Sequence, residues 1–232
     1  MLRNVRWVIL PSTNPDGLEF ARPKEERWYK NFNPLINETS SEVFSAQQII
    51  GVDITRNFDD SWEGCPKNDN PFSPHYPGPR AASEKETKFI THVLNKHKNI
   101  KIYISLRRDG HALLYPFASR NYTFDSIEKV KKRAGDVAAK VNQRAGGIQW
   151  FINESIFNMN GKAQCGHSVD YAINKVKIPY AFEMRVFAES DNDIMSMFHT
   201  VSKGNEVTLR AGYFSGIREL YNIIFNENKP KS

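Results

Sequence analysis

Apolar residues follow two spacings along this chain, one typical of strands and one typical of helices. Short β-branched and aromatic runs over Ile100–Leu106 and Ile178–Phe187 predict two buried strands. Apolar residues at helical spacing predict one helix after Ser83, a second around Ile127–Val141 and a third over Glu206–Asn226. Because strands and helices alternate, the pattern predicts an α/β domain with a largely buried sheet.

The ends and buried faces of these helices can also be predicted. Ser83 and Glu86 have the spacing of a capping box at the start of the first helix. Gly146 and Gly147 end the second helix. The apolar stripe of the last helix predicts five buried side chains: Tyr213, Ile217, Leu220, Tyr221 and Ile224.

A chain of 232 residues with 40% hydrophobic residues is long enough to bury a core. No apolar run reaches the roughly 18–20 residues that span a bilayer, so no membrane association is predicted. The run Val5–Leu10 predicts a strand, and Pro11 ends it before it is long enough for a signal-peptide core. The sequence as written therefore contains no signal peptide.

The formal charge of +6 invites a nucleic-acid partner, but the pattern of the charges excludes one. Lysine and arginine are scattered apart from the short cluster at Lys131–Arg133. The chain has no arginine-rich tract, zinc-finger spacing or aromatic RNA-binding signature. The excess charge is therefore interpreted as a solvated basic surface. Nothing in the sequence indicates an oligomeric state.

Two features bear on the cellular compartment. Acceptor sequons for N-glycosylation begin at Asn37, Asn121 and Asn153. The two cysteines, Cys65 and Cys165, allow either one disulfide or two free thiols. The sequence alone leaves both cysteine states open.

Six segments occur in an order that is typical of one enzyme family. They are N-P-D-G at Asn14–Gly17, W-Y-K-N at Trp28–Asn31, G-V-D-I-T-R-N-F-D at Gly51–Asp59, the segment Tyr76–Thr87, S-L-R-R-D-G-H-A-L-L-Y at Ser105–Tyr115 and G-H-S-V-D-Y-A at Gly166–Ala172. This ordered set resembles the zinc carboxypeptidases. The resemblance implies a mixed, mostly parallel, twisted sheet flanked by helices, forming one domain over residues 1–228 with a tail at 229–232.

The resemblance also implies an activity, the removal of C-terminal residues from peptides by a zinc-bound water. The family carries a zinc-binding histidine at the position of Arg107, and guanidinium has no lone pair to offer a metal. The family's other two ligands lie in an H-x-x-E motif well upstream of the position of Asn14. In this sequence only thirteen residues precede Asn14, and they do not contain that motif. We therefore expect no zinc cofactor and a catalytically inactive protein.

Two other interpretations stay open at the level of sequence. The chain could be a truncated product of a secreted metallocarboxypeptidase, since an extracellular location follows from the resemblance and the sequons. It could also be a structural or interaction domain without any affinity for peptides. The inactive family member would bind peptide or protein C-termini as its partners.

The resemblance carries the family's substrate-binding positions onto four residues. Arg56 corresponds to the arginine that grips the C-terminal carboxylate through paired charge-assisted hydrogen bonds, with Thr55 beside it. Tyr29 stands at the position of the arginine that polarises the scissile carbonyl. Val169 corresponds to the residue that sets side-chain preference, which implies a hydrophobic C-terminal side chain.

The position of the family's general base has two alignments. With two residues deleted upstream, F-E-L-R matches Phe182–Arg185 and the base is Glu183. Without that deletion the position falls on Arg185. We favour Glu183 as the base, and its alternative role is a structural ion pair with a neighbouring arginine.

Overall fold

Helices and strands alternate along the part of the chain that the computed structural model describes, which is residues 5–21, 28, 30–32, 51–108, 110–121, 125–187 and 203–227. The helices are α1 Pro15–Ala21, α2 Lys85–Lys96, α3 Asp125–Ala145, α4 Ile156–Asn160, α5 Ser168–Asn174 and α6 Lys203–Glu227. The strands are β1 Ile102–Arg108, β2 Ala112–Tyr115, β3 Ile152–Ser155 and β4 Tyr180–Val186. A 3₁₀ turn spans Ile54–Arg56.

The four strands form one mixed sheet in the order β1-β4-β2-β3. β1 pairs with β4 in parallel, β2 pairs with β3 in parallel, and β2 runs antiparallel to β4. Two of the three pairings are therefore parallel, and the prediction of a mixed, mostly parallel sheet flanked by helices is confirmed. β4 lies between two strands and is almost completely buried.

The sheet separates two hydrophobic clusters, and neighbouring residues of one strand enter opposite clusters because successive side chains point to opposite faces. Leu113 and Phe182 pack with α3 and α6 in the first cluster. Leu114 and Ala181 pack with α2 and α5 in the second. The sheet is thus covered on both faces, as its apolar strands predict.

The strand predicted over Val5–Leu10 is wrong. These residues form neither a helix nor a strand, and none of them pairs with a described strand. Val8 and Ile9, which are neighbours in the chain, are both exposed. An apolar run becomes a strand only where another strand accepts its backbone hydrogen bonds, and the local sequence does not report that partner.

The capping box predicted at the start of α2 does not form. Glu84 is the N-cap residue, and its side chain makes no capping hydrogen bond. The Ser83 hydroxyl donates to Glu84 Oε1 and accepts from the side-chain amide of Asn57. Glu86 accepts a hydrogen bond from Asn31 rather than from the backbone of the helix start. Contacts with distant residues therefore replace the local cap.

Helices α3 and α6 pack closely because two glycines of α6 face α3. A Cβ at Gly212 would lie 2.8 Å from the Cβ of Ala145, and one at Gly216 would lie 2.8 Å from Val141 Cγ2. The buried stripe of α6 passes through these glycines and includes Leu209, Tyr213, Leu220 and Ile223. The predicted burial of Tyr213 and Leu220 is confirmed, whereas Ile217, Tyr221 and Ile224 are only partly buried.

Gly212→Ala is expected to lower the free energy of unfolding by a net ~1 kcal/mol. Overpacking of a tight contact costs roughly 1–3 kcal/mol, while alanine gains about 1 kcal/mol over glycine in a helix. Gly135→Ala in α3 is the matched control, since its only near neighbour would be Asn153 Nδ2 at 3.7 Å. Urea unfolding should show a lower free energy of unfolding for Gly212→Ala and a higher one for Gly135→Ala. An equal increase in both variants would contradict the close packing of α3 and α6.

The two cysteines form a disulfide that joins residues 100 positions apart, with the Cα atoms 5.7 Å from each other. Of the two states that the sequence left open, the structure contains the disulfide. Among the described residues, no helix is both long and apolar enough to cross a membrane.

Candidate functional site

The centre of the site is the carboxylate of Glu183, which lies in β4 and is completely buried. Arg185 Nε donates to Glu183 Oε1 at 2.7 Å. Arg107 Nη1 and His167 Nε2 both reach Glu183 Oε2, at 3.4 Å and 3.0 Å. The strand register explains the arrangement, because Arg107 in β1 lies opposite Arg185 in β4 and both share the face of Glu183.

His167 is held in one orientation by the start of α5. It is the N-cap residue of that helix, and its Nδ1 accepts the backbone N–H of Val169 at 3.2 Å. Because Nδ1 accepts, the ring proton belongs on Nε2, which donates it to Glu183. The histidine therefore donates to a buried carboxylate in a fixed orientation.

These contacts keep Glu183 ionised. Burial alone would raise the pKa of Glu183, but the Arg107 charge, the His167 hydrogen bond and the Arg185 charge outweigh it and hold the pKa well below its ordinary value. A general base works best with a pKa near the operating pH. Glu183 in this environment is a weak base and a strong ion-pair partner.

A second buried carboxylate, Asp53, organises the 3₁₀ turn that carries Thr55 and Arg56. Asp53 Oδ1 accepts the hydroxyl of Thr55 at 2.6 Å, and Asp53 Oδ2 accepts Arg56 Nε at 3.0 Å. Burial would raise the pKa of Asp53, yet the nearby His75 ring, the hydrogen bond from Thr55 and the charges of Arg56 and Arg107 lower it. Asp53 is thus a fixed anion beneath the predicted carboxylate-binding pair.

Amide side chains connect the two carboxylates. Arg185 Nη2 donates to Asn160 Oδ1 at 3.2 Å, and Asn160 Nδ2 donates to Gln164 Oε1 at 2.8 Å. Gln164 Nε2 then donates to the Thr55 hydroxyl at 3.0 Å. With the bond from Thr55 to Asp53, this chain makes the two halves of the site one continuous network.

The network leaves cationic groups at its surface and anionic groups beneath. The side chains of Arg56, Arg107 and Arg185 are 19%, 27% and 20% exposed, whereas those of Asp53 and Glu183 are 5% and 1% exposed. Among the described residues of this network, three guanidinium groups face two carboxylates, an excess of one positive charge. Guanidinium groups arranged in this way suit a carboxylate or another small anion.

The remaining predicted site residues lie in different surroundings. Val169 is fully buried in the second hydrophobic cluster, so its side chain has no exposed surface. Tyr29 lies outside the described residues. His111, which was not among the predicted site residues, is buried in another network, between the hydroxyl of Tyr213 at 2.8 Å and the carbonyl of Gln149 at 2.9 Å.

Comparison with known proteins identifies the family. A family model described as zinc carboxypeptidase matches residues 1–205. The chain belongs to the zinc carboxypeptidase family. Mast cell carboxypeptidase A of Rattus norvegicus is 33% identical over 193 residues, which are 80% of this chain and 42% of that protein. Carboxypeptidase A1 of Sus scrofa is 31% identical over 190 residues, which are likewise 80% of this chain and 42% of that protein. The chain therefore spans less than half the length of these relatives.

Solved structures of the family have the same fold. Carboxypeptidase A from Helicoverpa armigera superposes with a TM-score of 0.70 at 21% identity, over 92% of this chain and 51% of that one. Bovine thrombin-activatable fibrinolysis inhibitor, solved with a tick carboxypeptidase inhibitor, superposes with a TM-score of 0.67 at 19% identity, over 91% of this chain and 68% of that one. The prediction of a carboxypeptidase-like α/β fold is confirmed.

The family's zinc does not fit the residues present at this site. The resemblance places Arg107 at the family's histidine position, and this side chain carries a positive charge that it directs at Glu183. Guanidinium donates hydrogen bonds but has no lone pair for a metal. Across residues 51–108 and the other described segments, no group of three or more histidine, cysteine, aspartate or glutamate side chains is arranged to hold a metal ion.

Sequence reasoning missed four residues of this network. His167 replaces a glycine of the family's G-G-S-x-D segment, and that difference was the available signal. Asp53 precedes Thr55 by two residues, a spacing at which an aspartate caps its own turn. Asn160 and Gln164 gave no signal, because their role depends on a loop returning to the 3₁₀ turn.

His111 provides a prediction about pH. Burial lowers the pKa of His111, so the unfolded chain binds a proton more readily than the folded protein does. Stability is therefore complete above the unfolded pKa of about 6.5 and falls as the pH drops below it, by at most ~1.4 kcal/mol per pH unit. The free energy of unfolding, measured with urea between pH 5 and 7, should change less with pH for His111→Gln than for the unchanged protein. An equal change with pH in both proteins would contradict the assignment of this titration to His111.

Proposed function

We propose that this chain is a zinc carboxypeptidase family domain without peptidase activity, which binds the C-terminal carboxylate of peptides or proteins. Arg56 is the principal contact and Arg107 assists it, while Thr55, whose hydroxyl donates to Asp53, holds the turn in place. The observation that carries the proposal is the pairing of Arg107 with Glu183 at 3.4 Å, at a position where the resemblance implies a metal ligand. An arginine at that position removes a zinc ligand and adds an anion-binding group.

The charge balance supports carboxylate binding. The site has one positive charge in excess, and its three guanidinium groups reach solvent while both carboxylates are buried. A single terminal carboxylate would neutralise that excess. Asp53 and the amide network fix the position of Arg56 before a ligand arrives, which lowers the entropy cost of binding.

The same contacts argue against catalysis. Hydrolysis in the family needs a zinc-activated water and a carboxylate that accepts a proton. Any zinc ligand supplied by residues outside this sequence would still face the Arg107 guanidinium. Glu183 is already fully engaged by Arg107, Arg185 and His167, and its lowered pKa makes it a poor proton acceptor.

Binding is tested by fluorescence anisotropy with one peptide made with a free C-terminus and with a C-terminal amide. We expect the free acid to bind roughly 10–100-fold more tightly, because a charge-assisted hydrogen bond contributes about 1.5–3 kcal/mol. Arg56→Gln should remove most of that difference. Arg80→Gln, at an exposed loop position, is the matched control and should leave it unchanged. Peptides ending in leucine and in serine test the apolar preference predicted from Val169.

Two results would overturn the proposal in different ways. Equal affinity for the acid and the amide, or no affinity for either, would favour a structural or interaction domain. One zinc per chain together with release of C-terminal residues would show an active enzyme.

We also propose an extracellular location, which the Cys65–Cys165 disulfide supports because such bonds persist in oxidising compartments.

A further inference from the structure

An open groove of about 460 Å³ lies between α3 and β3, on the surface remote from the Glu183 network. Its walls include Ala138 and Ala139 of α3, and its rim includes Trp150, which is 68% exposed. Asn153 of β3 also lines the groove and is exposed to solvent. An exposed indole beside an exposed asparagine marks this surface as one that the peptide site does not explain.

Asn153 is the acceptor of the sequon Asn153-Glu154-Ser155, and all three of these residues lie in the part of the chain that the structure describes. The chain also has sequons at Asn37 and Asn121, each with residues outside the described segments. Ser155 is the N-cap of α4, where its hydroxyl accepts the N–H of Asn158. The asparagine therefore lies on an ordered strand and is exposed to solvent.

A glycine in α3 leaves room around the acceptor nitrogen. Gly135 lies in the interior of that helix, where glycine costs about 1 kcal/mol relative to alanine. Apart from the backbone of α3 itself, the one atom of the described residues within 4 Å of a Cβ built at Gly135 is Asn153 Nδ2, at 3.7 Å. The gap in the helix surface is thus next to the atom that a sugar would be attached to.

We propose that Asn153 carries an N-linked glycan whose first sugar lies in this groove against Trp150. Asn153 Nδ2 bonds to the anomeric carbon of an N-acetylglucosamine carried as a lipid diphosphate oligosaccharide. The bond from that carbon to the diphosphate oxygen breaks, the lipid diphosphate leaves with the electron pair, and Nδ2 loses one proton. The donor belongs to the secretory pathway, so the proposal rests on the extracellular location and is independent of carboxylate binding at Arg56.

The glycan would cover apolar surface that is otherwise in water. Trp150, which is 68% exposed, lines the groove beside β3. Among the described strands β3 pairs with β2 alone, so it is an edge of the sheet. Exposed apolar edges favour association between chains, and a bulky hydrophilic group there opposes it.

The test translates the full chain behind a cleavable leader in the presence of microsomes, which supply the lumen directly. In the variant N37Q/N121Q, Asn153 is the one remaining acceptor of the chain's own sequence. A C-terminal tag with a further acceptor is added, and its glycosylation reports that the chain has entered the lumen. We expect one glycosidase-sensitive glycan at Asn153 by peptide mass spectrometry. Adding Asn153→Gln or Ser155→Ala should abolish it, whereas Ser155→Thr keeps both the sequon and the cap hydroxyl and should retain it.

A chain whose tag is glycosylated while Asn153 is unmodified would overturn the proposal, and this failure would leave the peptide-binding proposal untouched. The place of the first sugar is tested by acrylamide quenching of tryptophan fluorescence in secreted protein. The glycosylated form should be quenched less than Asn153→Gln, and Trp150→Phe should remove the difference. Equal quenching of the two forms would overturn the contact with Trp150.

Discussion

Replacing Glu183 with glutamine is expected to lower the free energy of unfolding by roughly 3 kcal/mol. Breaking a buried ion pair by removing one partner typically costs about 3–5 kcal/mol, since the remaining charge is left without compensation. Here Arg107 and Arg185 would lose their shared carboxylate, and His167 would lose the acceptor of its Nε2 proton. The value lies near the low end because both guanidinium groups are partly exposed to solvent.

Urea unfolding at pH 7 measures this loss, and Glu63→Gln is the matched control. Glu63 is 81% exposed and pairs with Lys67 at the surface, where such pairs contribute less than about 1 kcal/mol. A loss for Glu183→Gln no larger than that of the control would contradict the assignment of Glu183 as the centre of the network.

The same variant should change the response to acid. The folded pKa of Glu183 is lowered, so its contribution to stability is complete above the unfolded pKa of about 4.5 and is lost as the pH falls below it. Glu183→Gln removes that titration. Its unfolding free energy should therefore fall less steeply between pH 5 and 3 than that of the unchanged protein.

The fold was largely predictable because its signals are local. Two neighbouring leucines, Leu113 and Leu114, lie in opposite hydrophobic clusters, as the alternation of a strand requires. Helix α3 ends at Ala145, directly before the predicted stop at Gly146. The strand predicted at Val5–Leu10 failed for the opposite reason, since its formation depends on a partner strand elsewhere in the chain.

The candidate site was predictable only in part. The family resemblance located Arg56, Arg107 and Glu183, but not the contact between Arg107 and Glu183, which are 76 residues apart in sequence. Either Glu183 or Arg185 could have occupied the base position in the alignment. In the structure the two residues bond each other at 2.7 Å, so both alignments point to one ion-paired cluster.

Removing the Cys65–Cys165 disulfide is expected to destabilise the protein by about 2–5 kcal/mol. The bond closes a loop of 100 residues, for which chain entropy alone predicts roughly 4.7 kcal/mol. The double variant C65S/C165S avoids a free thiol, and reduced unchanged protein should unfold at the same urea concentration as that variant. Identical unfolding of the oxidised and reduced protein would contradict the expected stabilisation.

The disulfide should affect global stability far more than the geometry of the site. Cys165 precedes Gly166 and His167, so the bond anchors the loop that leads into α5. Backbone hydrogen bonds hold the same loop independently, from Phe58 N to Gly166 O and from Gly166 N to Asp60 O, both at 3.0 Å. Because the cross-link acts mainly on the unfolded chain, C65S/C165S should bind the free-acid peptide within about twofold of the unchanged protein while the chain is folded.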